Sequence, residues 1–132
     1  MVKTVETPYK KLSKTLKNLL DMAQRMDRKP FLYITGGDPI LHSRFWDFLE
    51  LIHSHKIEFA IMGNPFHLNK TVCERMQNLG CQKYQLSLDG LRFTHDFLRK
   101  KESFDITLSK IADIKSAGMR CAVMTTVSAI NI

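Results

Sequence analysis

Long apolar runs are missing from this 132-residue chain, and so are paired cysteines. No stretch approaches the roughly 20 apolar residues that cross a bilayer. The opening Met1-Val2-Lys3-Thr4-Val5-Glu6 lacks the apolar core of a secretion signal, so the chain reads as cytoplasmic. Cysteine is scarce: Cys73, Cys81 and Cys121. An odd count without close pairs argues against a disulfide framework, and no Cys-x2-Cys marks a metal site. Free buried thiols are the expectation. His42, His53, His55 and His67 show no zinc-like spacing with acids. There is no Gly-x-Gly-x-x-Gly and no Gly-x4-Gly-Lys-Ser/Thr, which weighs against ordinary dinucleotide and P-loop sites.

What is present is an ordinary globular composition, 44% hydrophobic and 25% charged, in one domain over 1–132. The net charge of +7 is uneven: residues 1–30 hold eight Lys/Arg and three Asp/Glu, hence +5, and the rest only +2. Such a segment could meet nucleic acid, an acidic substrate or a partner domain. No aromatic residues interleave with its lysines as a single-strand stacking platform needs, so a solvated helix face is the simpler reading.

The pattern alternates helix and strand. Thr7-Pro8 reads as a cap and first helical position, with Leu12, Leu16, Leu19, Leu20, Ala23 and Met26 at helical spacing until Pro30. Phe31 to Thr35 is an unbroken β-prone run, as in a strand buried on both faces. Ser43 would cap a helix carrying Phe45, Trp46, Phe48, Leu49 and Ile52. A second strand covers Glu58 to Met62, broken by Gly63-Asn64-Pro65, and Asn69 would cap a helix stopped by Gly80. A third strand covers Lys83 to Leu88, and a short helix lies around Phe93 to Arg99. The last helix starts at Ser103, with Leu108, Ile111 and Ile114 inward and Gly118 at its end. Met119 to Val127 is the fourth strand. Strand starts near 31, 58, 83 and 119 fit βα units with parallel strands, an α/β class over 31–132 behind a leading basic helix in 1–30.

The polar residues fall where such folds bind ligands, at the C-terminal ends of the strands. Strand one ends in Thr35-Gly36-Gly37-Asp38-Pro39, strand two in Gly63-Asn64-Pro65, strand three in Ser87-Leu88-Asp89-Gly90 and strand four in Thr125-Thr126-Val127-Ser128. Turn chemistry alone would put some of these there. Four on one rim raise the odds of a site.

Gly36-Gly37-Asp38-Pro39 resembles the Gly-Gly-Glu-Pro motif of radical S-adenosylmethionine (radical SAM) enzymes. Ser87-Leu88-Asp89-Gly90, His95-Asp96, Arg99 and Ser103-Phe104 match further family motifs, and Asn64 matches the Asn of its Thr-Asn-Gly. The resemblance is closest to the branch with a cysteine-rich C-terminal (SPASM) domain, which modifies ribosomally made peptides and matures sulfatases. It implies a partial TIM-like barrel, of which this chain supplies about strands two to five. It implies that Gly36, Gly37, Asp38 and Pro39 hold the methionine amino group of S-adenosylmethionine. Ser87 would meet its ribose or carboxylate, Arg99 its carboxylate, and Asn64 and Asp89 would support the rim. It also implies a [4Fe–4S] cluster on Cys-x3-Cys-x2-Cys, a reductively formed 5′-deoxyadenosyl radical and, in the parent, a peptide or protein substrate. That motif is absent here, so this chain reads as an inactive fragment or truncated reading frame whose cut sheet edges invite self-association. His95 is expected on the surface or on a helix face. Two rival readings are a doubly wound module for a nucleotide or phosphorylated ligand, and an interaction protein using its basic first helix.

Overall fold

A computed structural model of the chain describes residues 6–132. The reading of Met1–Val5 as lacking a signal lies outside them. Helix α1 (Tyr9–Arg25) leads into β1 (Phe31–Ile34), and a 3-10 turn (Pro39–Leu41) precedes α2 (Phe45–Ser54). Then come β2 (Glu58–Met62), α3 (Lys70–Asn78), β3 (Cys81–Ser87), α4 (Arg92–Leu98), α5 (Ser103–Ser116) and β4 (Arg120–Met124). No described helix is long and apolar enough to cross a membrane.

The strands lie in the order β1-β2-β3-β4, every neighbouring pair parallel. That order never reverses, so the sheet has no switch-point crevice of the doubly wound kind. The register sorts residues by face. Ile34, Ile61, Tyr84 and Cys121 stand in one row across the sheet. With Phe59 and Leu86 they pack against Leu16, Leu49, Ile52, Cys73, Met76 and Ile114 of the helices. The neighbouring row is Tyr33, Ala60, Lys83 and Arg120, on the face the helices leave open. A parallel sheet in sequential order with helices on one face is part of a βα barrel, as expected.

Several local expectations need correction. β1 is not buried on both faces: Phe31 and Tyr33 are exposed, at 39% and 57%. They stand on the open face, at the edge of the sheet. Ser43 does not cap α2, whose N-cap is Arg44. Its backbone N–H and hydroxyl donate instead to the Glu6 carboxylate, at 3.0 and 2.6 Å. These bonds hold the Glu6 carboxyl below its ordinary pKa. Helix α1 begins at Tyr9 with Pro8 as its N-cap, one position beyond the sequence expectation. Leu108 faces solvent, while Ile114 is fully buried. Asn69 does cap α3, its side chain accepting from the Val72 N–H at 2.9 Å. The lysines of α1 at 10, 11, 14 and 17 are all exposed, a solvated face.

Candidate functional site

The first corner of the rim follows β1. Gly36 and Gly37 take φ of +114° and +55°, and a Cβ on either would meet open space. The glycines are there for backbone shape, not for want of room. The turn delivers Asp38 to the N-terminus of the 3-10 turn, where its Oδ1 accepts from the Asn64 N–H at 3.4 Å. The first and second corners are thereby joined. Gly63 sits in the joint. A Cβ there would run into the Tyr84 hydroxyl and lie 3.0 Å from Asp38 Oδ1. Tyr84, wholly buried, donates its hydroxyl to the Asn64 carbonyl at 3.2 Å. Sequence reading misses Tyr84, because only the strand register carries it from β3 under the β2 corner.

Asp38 has no ion-pair partner among the described residues. Desolvation raises its carboxyl pKa above the ordinary value, against the smaller pull of the Asn64 N–H and of His67. A half-buried carboxylate without a counter-charge favours a cationic ligand. Beside it opens a cavity of about 650 Å³. Gly36, Gly37, Asp38 and Pro39 line it together with Leu12, Ile34 and Phe45.

The second cluster joins the ends of β3 and β4. The Asp89 carboxylate is buried and accepts from Arg99 Nε and from the Thr126 N–H, the latter at 2.8 Å. Arg99 first, and the Thr126 bond with it, hold its carboxyl below the usual range despite desolvation. The Asp89 N–H donates to His95 Nδ1 at 3.1 Å. His95, expected on the surface or on a helix face, does lie in helix α4, but it is buried, at 2% exposure. It holds the third corner from beneath. Asp96 beside it accepts from the N–H groups of Glu102 and Phe104, at 3.0 and 2.8 Å, and so caps α5 from α4. Desolvation would raise its pKa, but these bonds outweigh it and lower it. Arg99, expected to meet a ligand carboxylate, spends its Nε on Asp89. Its two terminal nitrogens make no hydrogen bond among the described residues, and its side chain is 41% exposed. Asp89, Arg99, Thr126 and Ser128 line a second, smaller cavity of about 230 Å³. Ser87 stands on the open-face row beside Met124.

The structure therefore brings the candidate residues to one rim in two groups: Gly36, Gly37, Asp38, Pro39 and Asn64, then Ser87, Asp89 and Arg99. The cysteines lie elsewhere. Cys73 and Cys81 are buried between helices and sheet, and desolvation pushes their thiols up to about 11 and 12. Cys121 is half-buried, its thiol also raised by desolvation. No three potential metal ligands gather among the described residues.

A model of the radical SAM superfamily matches residues 2–131. The chain belongs to that superfamily. Individual proteins are similar to it as well. It is 26% identical over 112 residues to the mycofactocin maturase MftC of Mycolicibacterium smegmatis, covering 84% of this chain and 28% of that protein. It is 29% identical over 129 residues to the protein MJ0907 of Methanocaldococcus jannaschii, covering 90% of this chain and 44% of the other. It is 27% identical over 97 residues to the GTP 3′,8-cyclase of Helicobacter pylori, covering 71% and 30%. The chain thus spans less than half the length of each of these relatives. One of these relatives is named a maturase. Relatives named for different reactions match this one stretch, which points to a part they share.

Proposed function

We propose that this chain forms the S-adenosylmethionine-binding part of a radical SAM enzyme core, in an intact protein that acts on a peptide. The observation that carries the reading is Asp38: a desolvated carboxylate without an ionic partner among the described residues, on a double-glycine corner, beside a cavity of about 650 Å³. S-adenosylmethionine carries an ammonium and a sulfonium, and a carboxylate with nearby carbonyls suits the ammonium. Gly36 and Gly37 shape the turn so that backbone can approach the ligand. Asn64 and Tyr84 keep the Asp38 carboxylate aimed. Arg99, oriented through Nε by Asp89, presents its terminal nitrogens to the ligand carboxylate in the planar geometry that guanidinium offers. Ser87 offers a hydroxyl on the same rim.

A [4Fe–4S] cluster supplies electrons in this family. The thiols present do not fit one: two are buried in the apolar core and held protonated, and cluster ligands are thiolates. A cluster serving this rim takes its ligands from sequence other than residues 1–132.

Titration calorimetry of the folded chain with S-adenosylmethionine tests the reading. Saturable binding is expected, weakened about tenfold in Asp38→Asn, the loss of one charge-assisted contact. Because ionising Asp38 in the fold is costly, the same variant should melt no lower than the wild type at neutral pH. Absence of binding, or binding indifferent to Asp38→Asn, sinks the assignment.

A further inference from the structure

Past Met124 the chain leaves the sheet, and a knot of polar groups ties it back to the end of β3. Thr125 donates its hydroxyl to the Leu88 carbonyl at 2.8 Å, and the Thr126 N–H donates to Asp89 Oδ1 at 2.8 Å. A turn then runs from Ser128 to Asn131, closed by the Asn131 N–H on the Ser128 carbonyl at 3.2 Å. It brings the Asn131 side chain back against the Asp89-Gly90 corner, where a Cβ on Gly90 would lie 3.5 Å from Asn131 Cβ. From there the Asn131 side chain makes four hydrogen bonds. Its Nδ2 donates to the Thr126 carbonyl at 2.7 Å and to the Asp89 carbonyl at 3.3 Å. Its Oδ1 accepts from the Ser128 N–H at 2.7 Å and from the Ser128 hydroxyl at 3.1 Å. The surroundings fix which end of the amide is which: two carbonyls need a donor, and the Ser128 N–H needs an acceptor.

Every polar group of Asp89 is then engaged. His95 Nδ1 takes its N–H, Asn131 its carbonyl, and Thr126 and Arg99 one carboxylate oxygen each. Asp89 is a fixture, and what it holds is Arg99. Nε is the one nitrogen of that guanidinium with a hydrogen-bond partner among the described residues. The direction of the terminal nitrogens therefore depends on the Asp89 carboxylate, and the plane of that carboxylate depends on the Thr126 N–H. Thr126 is itself exposed. Its N–H stays in place because Asn131 holds the carbonyl of the same residue. Asn131 also keeps together Thr126 and Ser128, two walls of the cavity of about 230 Å³ that Arg99 lines.

We propose that Asn131 is a positioning residue for Arg99: by clamping the Asp89 and Thr126 backbone it sets the direction in which the guanidinium points. That this direction serves the carboxylate of S-adenosylmethionine rests on the reading of the rim given above. An arginine held on one side loses less freedom when it meets a carboxylate than one free to swing. Bonds linked in this way act as a unit, because each fixes the geometry of the next. Asn131 acts only through its neighbours, and its effect on a ligand is confined to the part of the ligand that Arg99 meets. The amide is needed for this. Aspartate has the same shape but would turn an oxygen toward two carbonyls.

The test reads Arg99 directly, in nitrogen-edited NMR spectra of the full 132-residue chain. The Arg99 Nε–H, identified by its loss in Arg99→Lys, should exchange slowly with water. Asn131→Ala should speed that exchange at least about tenfold. Ser128→Ala, which keeps the N–H bond to Asn131 and loses the hydroxyl one, should speed it less and carries the test should Asn131→Ala fail to fold. Asn69→Ala, which strips the cap from α3, should leave it unchanged. Calorimetry gives a second readout. Asn131→Ala should weaken S-adenosylmethionine about fivefold, part of the tenfold of one charge-assisted contact. It should leave the binding of decarboxylated S-adenosylmethionine, which keeps the ammonium and the sulfonium, unchanged. Fast exchange in the wild type, exchange indifferent to both Asn131→Ala and Ser128→Ala, equal acceleration in Asn69→Ala, or equal weakening of the two ligands overturns the proposal. Exchange that responds as expected in a chain that binds neither ligand would sink the S-adenosylmethionine assignment and leave the positioning of Arg99 standing.

Discussion

Gly63 shows how much one missing methyl group can decide. Its place after β2, ahead of Asn64 and Pro65, marks it as a strand breaker. The structure adds a second reason for glycine there. The space a Cβ would take is held by the Tyr84 hydroxyl, with Asp38 Oδ1 3.0 Å away. Tyr84 cannot withdraw, because it is fully buried and bound to the Asn64 carbonyl. Gly63→Ala should therefore cost about 2 kcal/mol, the usual range for overpacking a tight site. Urea denaturation measures it, and adding Tyr84→Phe should recover part of the loss by removing the oxygen that clashes. If Gly63→Ala melts like the wild type, the joint between the first two corners is looser than the geometry says. None of this can be read along the chain. Gly63 and Tyr84 are far apart in sequence, and only the parallel register of β2 and β3 brings them together.

Elements, in this fold, are tied at their ends by single polar side chains. Asp89 connects three of them: it follows β3, binds Arg99 after α4, and accepts from Thr126 after β4. Its folded pKa is lowered, so its contribution to stability is fully present above the ordinary carboxylate value of about 3.9. That contribution is lost as pH falls through the lower folded value. Asp89→Asn can still accept from Thr126 but leaves Arg99 without its counter-charge. It should lose about 2 kcal/mol at neutral pH, the scale of a hydrogen bond to a charged group. It should also show a flatter acid limb in a pH series of denaturation midpoints. An acid limb as steep as the wild type's would show that other carboxylates govern it. The sequence signals these ends well where chemistry is local, as at Asn69 capping α3 three residues away. It signals them poorly where the partner is distant. Ser43 has the chemistry of a cap but is engaged by Glu6, and His95 has the chemistry of a surface residue but is buried under the Asp89 backbone.

At the scale of the whole molecule, the alternation of helix and strand is legible because apolar periodicity and glycine punctuation agree throughout. The common rim is legible for the same reason, since every polar cluster follows a strand and all strands run one way. The half-open state of β1 is not, because exposure there depends on which neighbours a strand has, and Phe31 to Ile34 is apolar either way. The positions of the thiols complete the picture. Catalysis of the family's kind needs accessible thiolates, and Cys73 and Cys81 are instead built into the layer between helices and sheet. Recruiting them would require opening the core that holds the rim in shape. The chain by itself is therefore expected to bind S-adenosylmethionine without cleaving it. Incubated anaerobically with iron, sulfide and dithionite, it should release no 5′-deoxyadenosine above background, while calorimetry on the same preparation still detects the ligand. Release of 5′-deoxyadenosine that survives Cys121→Ser, the change at the one thiol only half-buried, would mean that the core thiols can be recruited after all. Release abolished by that change would mean that the edge strand carries a redox site of its own.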